Sequence, residues 1–414
     1  MQSLGTTFTK RRGAIAPMAA LLMTLLVGML AFAIDIGYIA SVQAELQNAA
    51  DAAALAGAQQ LQTPFVNFYA PGQTQQQQQT IYNLVTTDTS SSGNPIPTAQ
   101  RFAAYNQAGG VSVQVPTTDI SFRYYDGTNP SVPASSGVFP NTIQVTTRRD
   151  STANAPLGLF FARIFGISTI NLTASASATI YAGDISSLQV IPGVNAHILP
   201  VALDMNVWTN YANGNLSSPW LGSNVTTGPN GNPQLQVYPF ATNTPGSFGL
   251  LDVGVPSNNA PAFRSWIDDG STPNDISYLL NNNLLPVSPT NPEPWKVGPG
   301  LKSTLLNDFQ SQMGVPNLIP LFAPVSPAGN PTSPGSSYVA ASGQGQGANY
   351  AIVGFVGVTI SQATGNGDNM NISIQPSAIV DPTAVILNPS PARAGQKTIF
   401  GTPQTTFISA KLTQ

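Results

Sequence analysis

Residues Gly13 to Ile34 read GAIAPMAALLMTLLVGMLAFAI, a run with no charged position and with Thr24 as its single hydroxyl. As a helix this run rises about 33 Å, enough to cross a hydrocarbon core of about 30 Å. Lys10, Arg11 and Arg12 stand immediately before it and Asp35 closes it. That bias of positive charge predicts a cytoplasmic tail over 1–12, a single transmembrane helix over 13–34, and export of everything after Asp35. The next most apolar stretch, Tyr350–Ile360, is too short to cross and contains Gly354 and Gly357. Ala31-Phe32-Ala33 has the form of a signal-peptide cleavage site, but the apolar run is longer than a signal core and no break follows it, so retention is expected.

The hydrophobic pattern then changes period without stopping. Asp35–Leu61 (DIGYIASVQAELQNAADAAALAGAQQL) contains no proline. Ile39, Val42, Leu46, Ala49, Ala53 and Ala56 recur at alternating spacings of three and four, a heptad seam, while Glu45, Gln47, Asn48 and Asp51 fall off it. This predicts a stalk helix over 35–62, ended by Thr63-Pro64. An alanine seam lets another backbone come close but buries little area per residue. It fits either the chain's own exported domain or a helix of another subunit.

Beyond the stalk the helical period is lost. Gln73–Gln79 is a low-complexity run and Ser90–Pro95 is rich in turn formers, so 63–95 reads as a tether or surface insertion. Ala99–Ala108 reads as a short helix stopped by Gly109-Gly110, and Leu157–Phe165 as a short apolar helix. Strands are expected at Val111–Val115, Ile120–Tyr125, Thr142–Arg149 and Thr169–Tyr181. In the last, Ile170, Leu172, Ala174, Ala176 and Ala178 alternate with polar partners. Residues 63–182 thus read as an α+β exported domain.

Residues 183–414 read as a second, β-rich unit. Strands are expected at His197–Asp204, Gln234–Phe240, Phe248–Val255, Leu318–Phe322, Tyr350–Ile360, Asn371–Gln375 and Thr405–Leu412. Short helices are expected at Ala260–Asp268, Asp275–Asn282 and Gly300–Met313, and a long Pro/Gly/Ser loop at Ala323–Gly347. The fold class is α+β: a long N-terminal transmembrane-plus-stalk helix followed by a β-rich, mostly antiparallel exported region.

Composition narrows the chemistry. Only 7% of the 414 residues are charged, against roughly a quarter in ordinary globular chains, and 37 Gly and 36 Pro take part of that space. The net charge is −3, and three of the 14 basic residues lie in the N-terminal cluster. No basic patch remains for a phosphate backbone, which argues against nucleic-acid binding. The absence of cysteine excludes disulfides and thiolate metal sites, and one histidine, His197, excludes an HExxH zinc site.

Few residues invite a catalytic or ligand reading. His197 lacks a G-x-S-x-G partner and reads as a structural residue at a strand edge. Asp88-Thr89-Ser90-Ser91-Ser92 has the D-x-S-x-S form of a metal-binding loop but follows a poor strand, so a solvated loop is expected. Gly365–Asn371 reads as a hairpin turn with one carboxylate, too few for a calcium loop. Gly343–Gly347 precedes a strand rather than a helix, unlike a phosphate cradle. Asp268-Asp269-Gly270 reads as a helix end. Trp208, Trp220, Trp266, Trp295 and Tyr211 fall in loop-rich stretches, where aromatics either contact a ligand or plug small cores. No catalysis, cofactor or metal is expected.

The N-terminal features together resemble one family. The basic residues followed by Gly13, the Asp-x-Gly of Asp35 and Gly37, and the run Glu45 to Ala56 (ELQNAADAAALA, with Gln47, Asn48 and Asp51) resemble TadG-like proteins of the Tad, or Flp pilus-assembly, system. Weaker likeness continues at Val145–Arg149, Phe160–Gly166, Gly246–Gly254 and Gly314–Phe322. The resemblance implies a single-pass protein of the bacterial inner membrane, with a cytoplasmic N-terminus and a periplasmic or cell-surface C-terminal region. Its implied partners are the lipid bilayer and other Tad/Flp pilus proteins, and its implied role is protein interaction or adhesion without catalysis; self-association is left open. Substrates of the family's prepilin peptidase carry a glutamate five residues after the cleavage-site glycine. Met18 stands there in this chain, which aligns it with TadG-like proteins and predicts an unprocessed N-terminus. The rival reading is an envelope module that binds a glycan or a surface independently of a pilus.

Overall fold

The computed structural model describes residues 15–128, 131–134, 138–238, 249–257, 259–300, 303–323, 341–342, 349–365, 370–393 and 395–413. Lys10, Arg11, Arg12 and Gly13 lie outside the described residues, as do most of Gly365–Asn371 and all of Gly343–Gly347.

The apolar run and the stalk form one unbroken α-helix, Ile15–Gln59. At 45 residues it is about 68 Å long. From Ile15 to Ile34 it is apolar all round and almost wholly exposed, the signature of a segment solvated by lipid rather than by water. It is the one helix among the described residues long and apolar enough to cross a membrane. From Asp35 onward one face is buried.

The helix stops before Thr63-Pro64, but the proline does not end the helical region. Pro64 sits in the first turn of a second helix, Gln62–Phe68, where its missing N–H leaves no bond unmade. The expected tether is likewise structured. Gln75–Thr86 is a helix opened by a capping box, with Thr74 Oγ1 accepting the Gln77 N–H and the Gln77 side chain accepting the Thr74 N–H. Glutamine is a good helix former, so a glutamine run behind such a cap propagates a helix rather than a coil. The next helix, Pro95–Ala104, begins earlier than expected because Pro95 favours its first turn.

Among the described residues fifteen strands share one sheet, and nearly every pairing is antiparallel. Its central strand is Leu172–Leu188. Thr142–Arg149 pairs along its first half, from Arg149 opposite Leu172 to Thr142 opposite Thr179. Ala384–Pro391 pairs along its second half, and Phe407–Thr413 pairs across residues 177–182. A parallel ladder joins Leu203–Asp204 to Leu321–Phe322. Asn349–Thr364, a strand of 16 residues, organises the remainder, with Pro316–Phe322, Asn371–Pro376 and Glu293–Gly300 paired to it.

Two buried apolar clusters sit on this sheet. The first joins the stalk helix to Ile143, Val145, Ala174, Ala176, Ala178 and Ile180, with Phe65 and Phe139 closing one end. The second surrounds Trp208, Trp295, Phe263, Phe309 and Phe355. The division expected at residue 182 falls inside the central strand, so the two clusters are sides of one β-structure. Phe407 returns from the far end of the sequence to the first cluster.

Other expectations shift for physical reasons. Leu157–Phe165 is not an α-helix: Leu157–Gly158 pairs with Thr169–Ile170, and Ala162–Phe165 is a single 3-10 turn ended by Gly166 in the left-handed conformation. His197–Asp204 is strand only at Leu203–Asp204. Gly300–Met313 shortens to a 3-10 turn at Ser303–Leu305 and a helix at Leu306–Ser311. Trp208 and Tyr211 lie on a helix, Met205–Ala212, Trp266 lies on Ala260–Asp268 and Trp295 on a strand; these four are core residues rather than loop contacts.

Candidate functional site

The stalk lies on the sheet through small side chains. Val42, Leu46, Ala49, Ala50, Ala53, Ala54, Gly57 and Ala58 are buried, a face that recurs at the helical period and is wider than the heptad seam. Val42, Leu46, Ala49 and Ala53 of the seam lie on it, Ile39 packs at its edge, and Ala56 turns half outward. The partner surface is also small, with Ala174, Ala176 and Ala178 facing the helix from the central strand. Alanine against alanine lets helix and sheet approach closely. The limit is reached at Gly57, where a Cβ would stand 2.9 Å from Ile143 Cδ1 and 3.3 Å from the Pro95 carbonyl oxygen.

Polar side chains along the flanks fix the register. Gln43 Nε2 donates to the Thr173 carbonyl at 2.8 Å and Gln47 Nε2 to the Ser175 carbonyl at 3.2 Å. Thr147 Oγ1 donates to the Leu46 carbonyl at 2.9 Å, and Gln62 Nε2 to the Ile408 carbonyl at 3.0 Å. Glu45 accepts the N–H of Gly109. Of the other motif residues, Asp51 accepts from Gln47 Nε2 at 2.8 Å, Asn48 is exposed, and Gly37 faces open space.

Asp35 is the most specific contact. Although it ends an exposed span, it is only 2% exposed itself. Its Oδ1 accepts the N–H of Phe160 at 2.8 Å, and its Oδ2 accepts those of Phe161 at 2.9 Å and Ala162 at 2.6 Å. These amides open the Ala162–Phe165 turn and would otherwise lack partners, so a distant carboxylate caps the turn. Tyr38, one helical turn on, packs its ring 5.1 Å from that of Phe160. The helix is thereby fastened to the domain at the point where its lipid-like surface ends.

Residues 13–60 match the family model described as "Putative Flp pilus-assembly TadE/G-like". The chain's N-terminal helix is similar to a Tad TadE/G-like segment. The match coincides with the helix Ile15–Gln59, taking in the apolar span, the Asp35 clamp and the docked stalk. Comparison with curated proteins and with solved structures finds no match.

The remaining candidates have local roles. Asp88 Oδ1 accepts from the N–H and hydroxyl of Ser90, and Oδ2 from Asn94 Nδ2 at 2.9 Å. The Ser90 hydroxyl bond comes first in holding its carboxyl below the usual range. Its oxygens are thus engaged in a turn. No group of three or more His, Cys, Asp or Glu side chains suited to a metal ion occurs among the described residues. His197 is exposed, and its backbone N–H donates to Asp381 at 3.0 Å. Asp268 and Asp269 close the helix Ala260–Asp268, and Gly270 follows at φ +83°.

Sequence reasoning placed Asp35 as a topological marker and missed its bonding role. Its partners are backbone amides 125 to 127 residues away, which no side-chain type announces. Gly57 and Thr147 were missed as well. A glycine amid alanines and a threonine in a strand carry little pattern of their own.

Proposed function

We propose that this protein is a non-enzymatic, membrane-anchored component of Tad/Flp-type pilus assembly, TadG-like in organisation. The helix Ile15–Ile34 spans the bacterial inner membrane with its N-terminus in the cytoplasm. The β-rich region is held outside, where it contacts other pilus proteins. The observation that supports this most is the coincidence of the family match with a helix lipid-like in its first half and docked on its own domain in its second. Such a helix is both anchor and rigid mount: the sheet sits at a fixed distance from the membrane because no flexible linker intervenes.

The test is purification of the native protein from membranes followed by mass spectrometry of what accompanies it. Other Tad proteins in the eluate support the proposal. An isolated protein that binds polysaccharide would overturn it in favour of an independent envelope-binding module. For orientation, an export-dependent reporter at the C-terminus should be active, and a reporter that works only in the cytoplasm should be silent.

A further inference from the structure

Beside the clamp, the segment Phe160–Ile167 (FFARIFGI) exposes an unusual amount of apolar surface. Phe160 is 61% exposed, Ile164 80%, Phe165 77% and Ile167 55%. An exposed patch of large apolar side chains marks an interaction surface. This one is not isolated, because Phe165 and Ile167 form one apolar groove with Thr24, Gly28, Met29 and Phe32 of the anchor helix. Gly28 precedes Asp35 by seven residues, about 10 Å along the helix axis, so the loop reaches back past the clamp along the span itself. We propose that this loop is a second membrane contact: a wedge that inserts into the headgroup and upper acyl region of the leaflet on the domain's side.

Three features fit lipid as the occupant. First, a backbone segment can enter hydrocarbon only if its polar groups are bonded internally. Asp35 takes the N–H groups of 160–162, and turns within the loop take those of Ile164, Gly166 and Ile167. Second, Arg163 is the one charged residue between Asp150 and Asp184, and its guanidinium folds back to within 3.4 Å of where a Cβ on Gly158 would stand. That places a cation behind the apolar tip, at the level expected of phosphate headgroups, as snorkelling side chains do. Third, a depth of about 10 Å matches the 5–10 Å burial of interfacial elements. Two contacts instead of one would fix the tilt and rotation of the whole domain over the membrane.

The inference rests on the anchor reading, and the chain's lack of cysteine allows both to be tested together. Single-cysteine variants Ile164→Cys, Leu22→Cys and Ser223→Cys of the full chain are spin-labelled and reconstituted into phosphatidylethanolamine–phosphatidylglycerol vesicles. Collision with oxygen, which partitions into lipid, is compared with collision with a water-soluble nickel chelate. At positions 164 and 22 oxygen should exceed nickel severalfold, with the reverse at 223. Nickel dominance at 164 with oxygen dominance at 22 would overturn the wedge and leave the anchor standing. Low collision with both reagents at 164 would mean that protein covers the loop, and would overturn the lipid assignment. Nickel dominance at both 22 and 164 would remove the anchor and the wedge together.

Discussion

The carboxylate of Glu45 accepts the backbone N–H of Gly109 at 2.7 Å, joining the middle of the stalk to the turn that follows the helix Pro95–Ala104. Gly109 has φ +58°, and a Cβ there would lie 3.0 Å from Arg149 Nη1 and 3.1 Å from the Tyr38 hydroxyl. Arg149 in turn donates to the carbonyls of Ala108 and Ala155. One turn thus collects contacts from the stalk, the helix and the sheet. Glu45→Ala leaves a part-buried N–H without its acceptor and should cost about 1–3 kcal/mol. Gly109→Ala should cost at least about 1–2 kcal/mol from the left-handed backbone alone. Chemical denaturation of the two variants checks both.

The clamp predicts a localised effect. In Asp35→Ala the amides of Phe160, Phe161 and Ala162 lose their acceptor. Hydrogen exchange at these positions should accelerate at least severalfold, while that of Thr142–Arg149 should be unchanged. Uniform acceleration across the sheet would mean that Asp35 supports the global fold rather than the loop.

Stalk packing separates three substitutions. Ala53 is fully buried, so Ala53→Leu should destabilise by about 1–3 kcal/mol through overpacking. Ala56 is half-exposed, and Ala56→Leu should fall within about 0.5 kcal/mol of the parent. Among the described residues Asp51 bonds to Gln47 within the same helix, so Asp51→Asn should also change stability little. If Asp51→Asn nonetheless abolishes co-purification with other Tad proteins while melting normally, Asp51 is a docking residue for another subunit.

Asp252 predicts a pH dependence. It is 3% exposed, and among the described residues neither carboxylate oxygen meets a donor in good hydrogen-bond geometry. Burial pushes its carboxyl up to about 6, and the nearby Ser257 N–H and the Lys296 charge oppose this only in part. Between the ordinary value of 3.8 and about 6, the folded state holds a proton that the unfolded state has released. Stability contributed by this group therefore falls as pH rises through that window and stays lower above it. Asp252→Asn should flatten the slope and stabilise the protein at pH 7, as measured by melting between pH 4 and 7.

What could be read from the sequence tracks how local the determinants are. Thr142–Arg149 is legible end to end because buried and half-buried residues alternate along most of the strand. The anchor was legible because lipid demands a continuous apolar run. The helix Gln75–Thr86 is masked in the sequence by its low complexity, although its capping signal, Thr74 followed by Gln77, is present. The strand Glu293–Gly300 was missed because EPWKVGPG holds two prolines and two glycines, yet its backbone still pairs with Tyr350 and Ile352. The apolar residues of Leu157–Phe165 suggest a short helix, whereas the segment is a strand and a 3-10 turn from which Phe160, Ile164 and Phe165 face outward. The Asp35 clamp was beyond reach, since it depends on where a remote turn places its amides.

The return of Phe407–Thr413 to the stalk has a consequence for the order of events during synthesis. Gln62 bonds to Ile408 across 346 residues, and Ala410 donates to Gln59 across 351. The first apolar cluster, built mainly from residues 42–182, is completed by Phe407 only after more than two hundred further residues have been made. Contacts so distant in sequence form slowly, because a long loop must close before they stabilise anything. Until then, the alanine face of the stalk lacks part of its cover. The nascent protein therefore passes through a stage in which it is already tethered but not yet folded, and a ribosome that stalls before Phe407 leaves an anchored chain whose oldest core is still open.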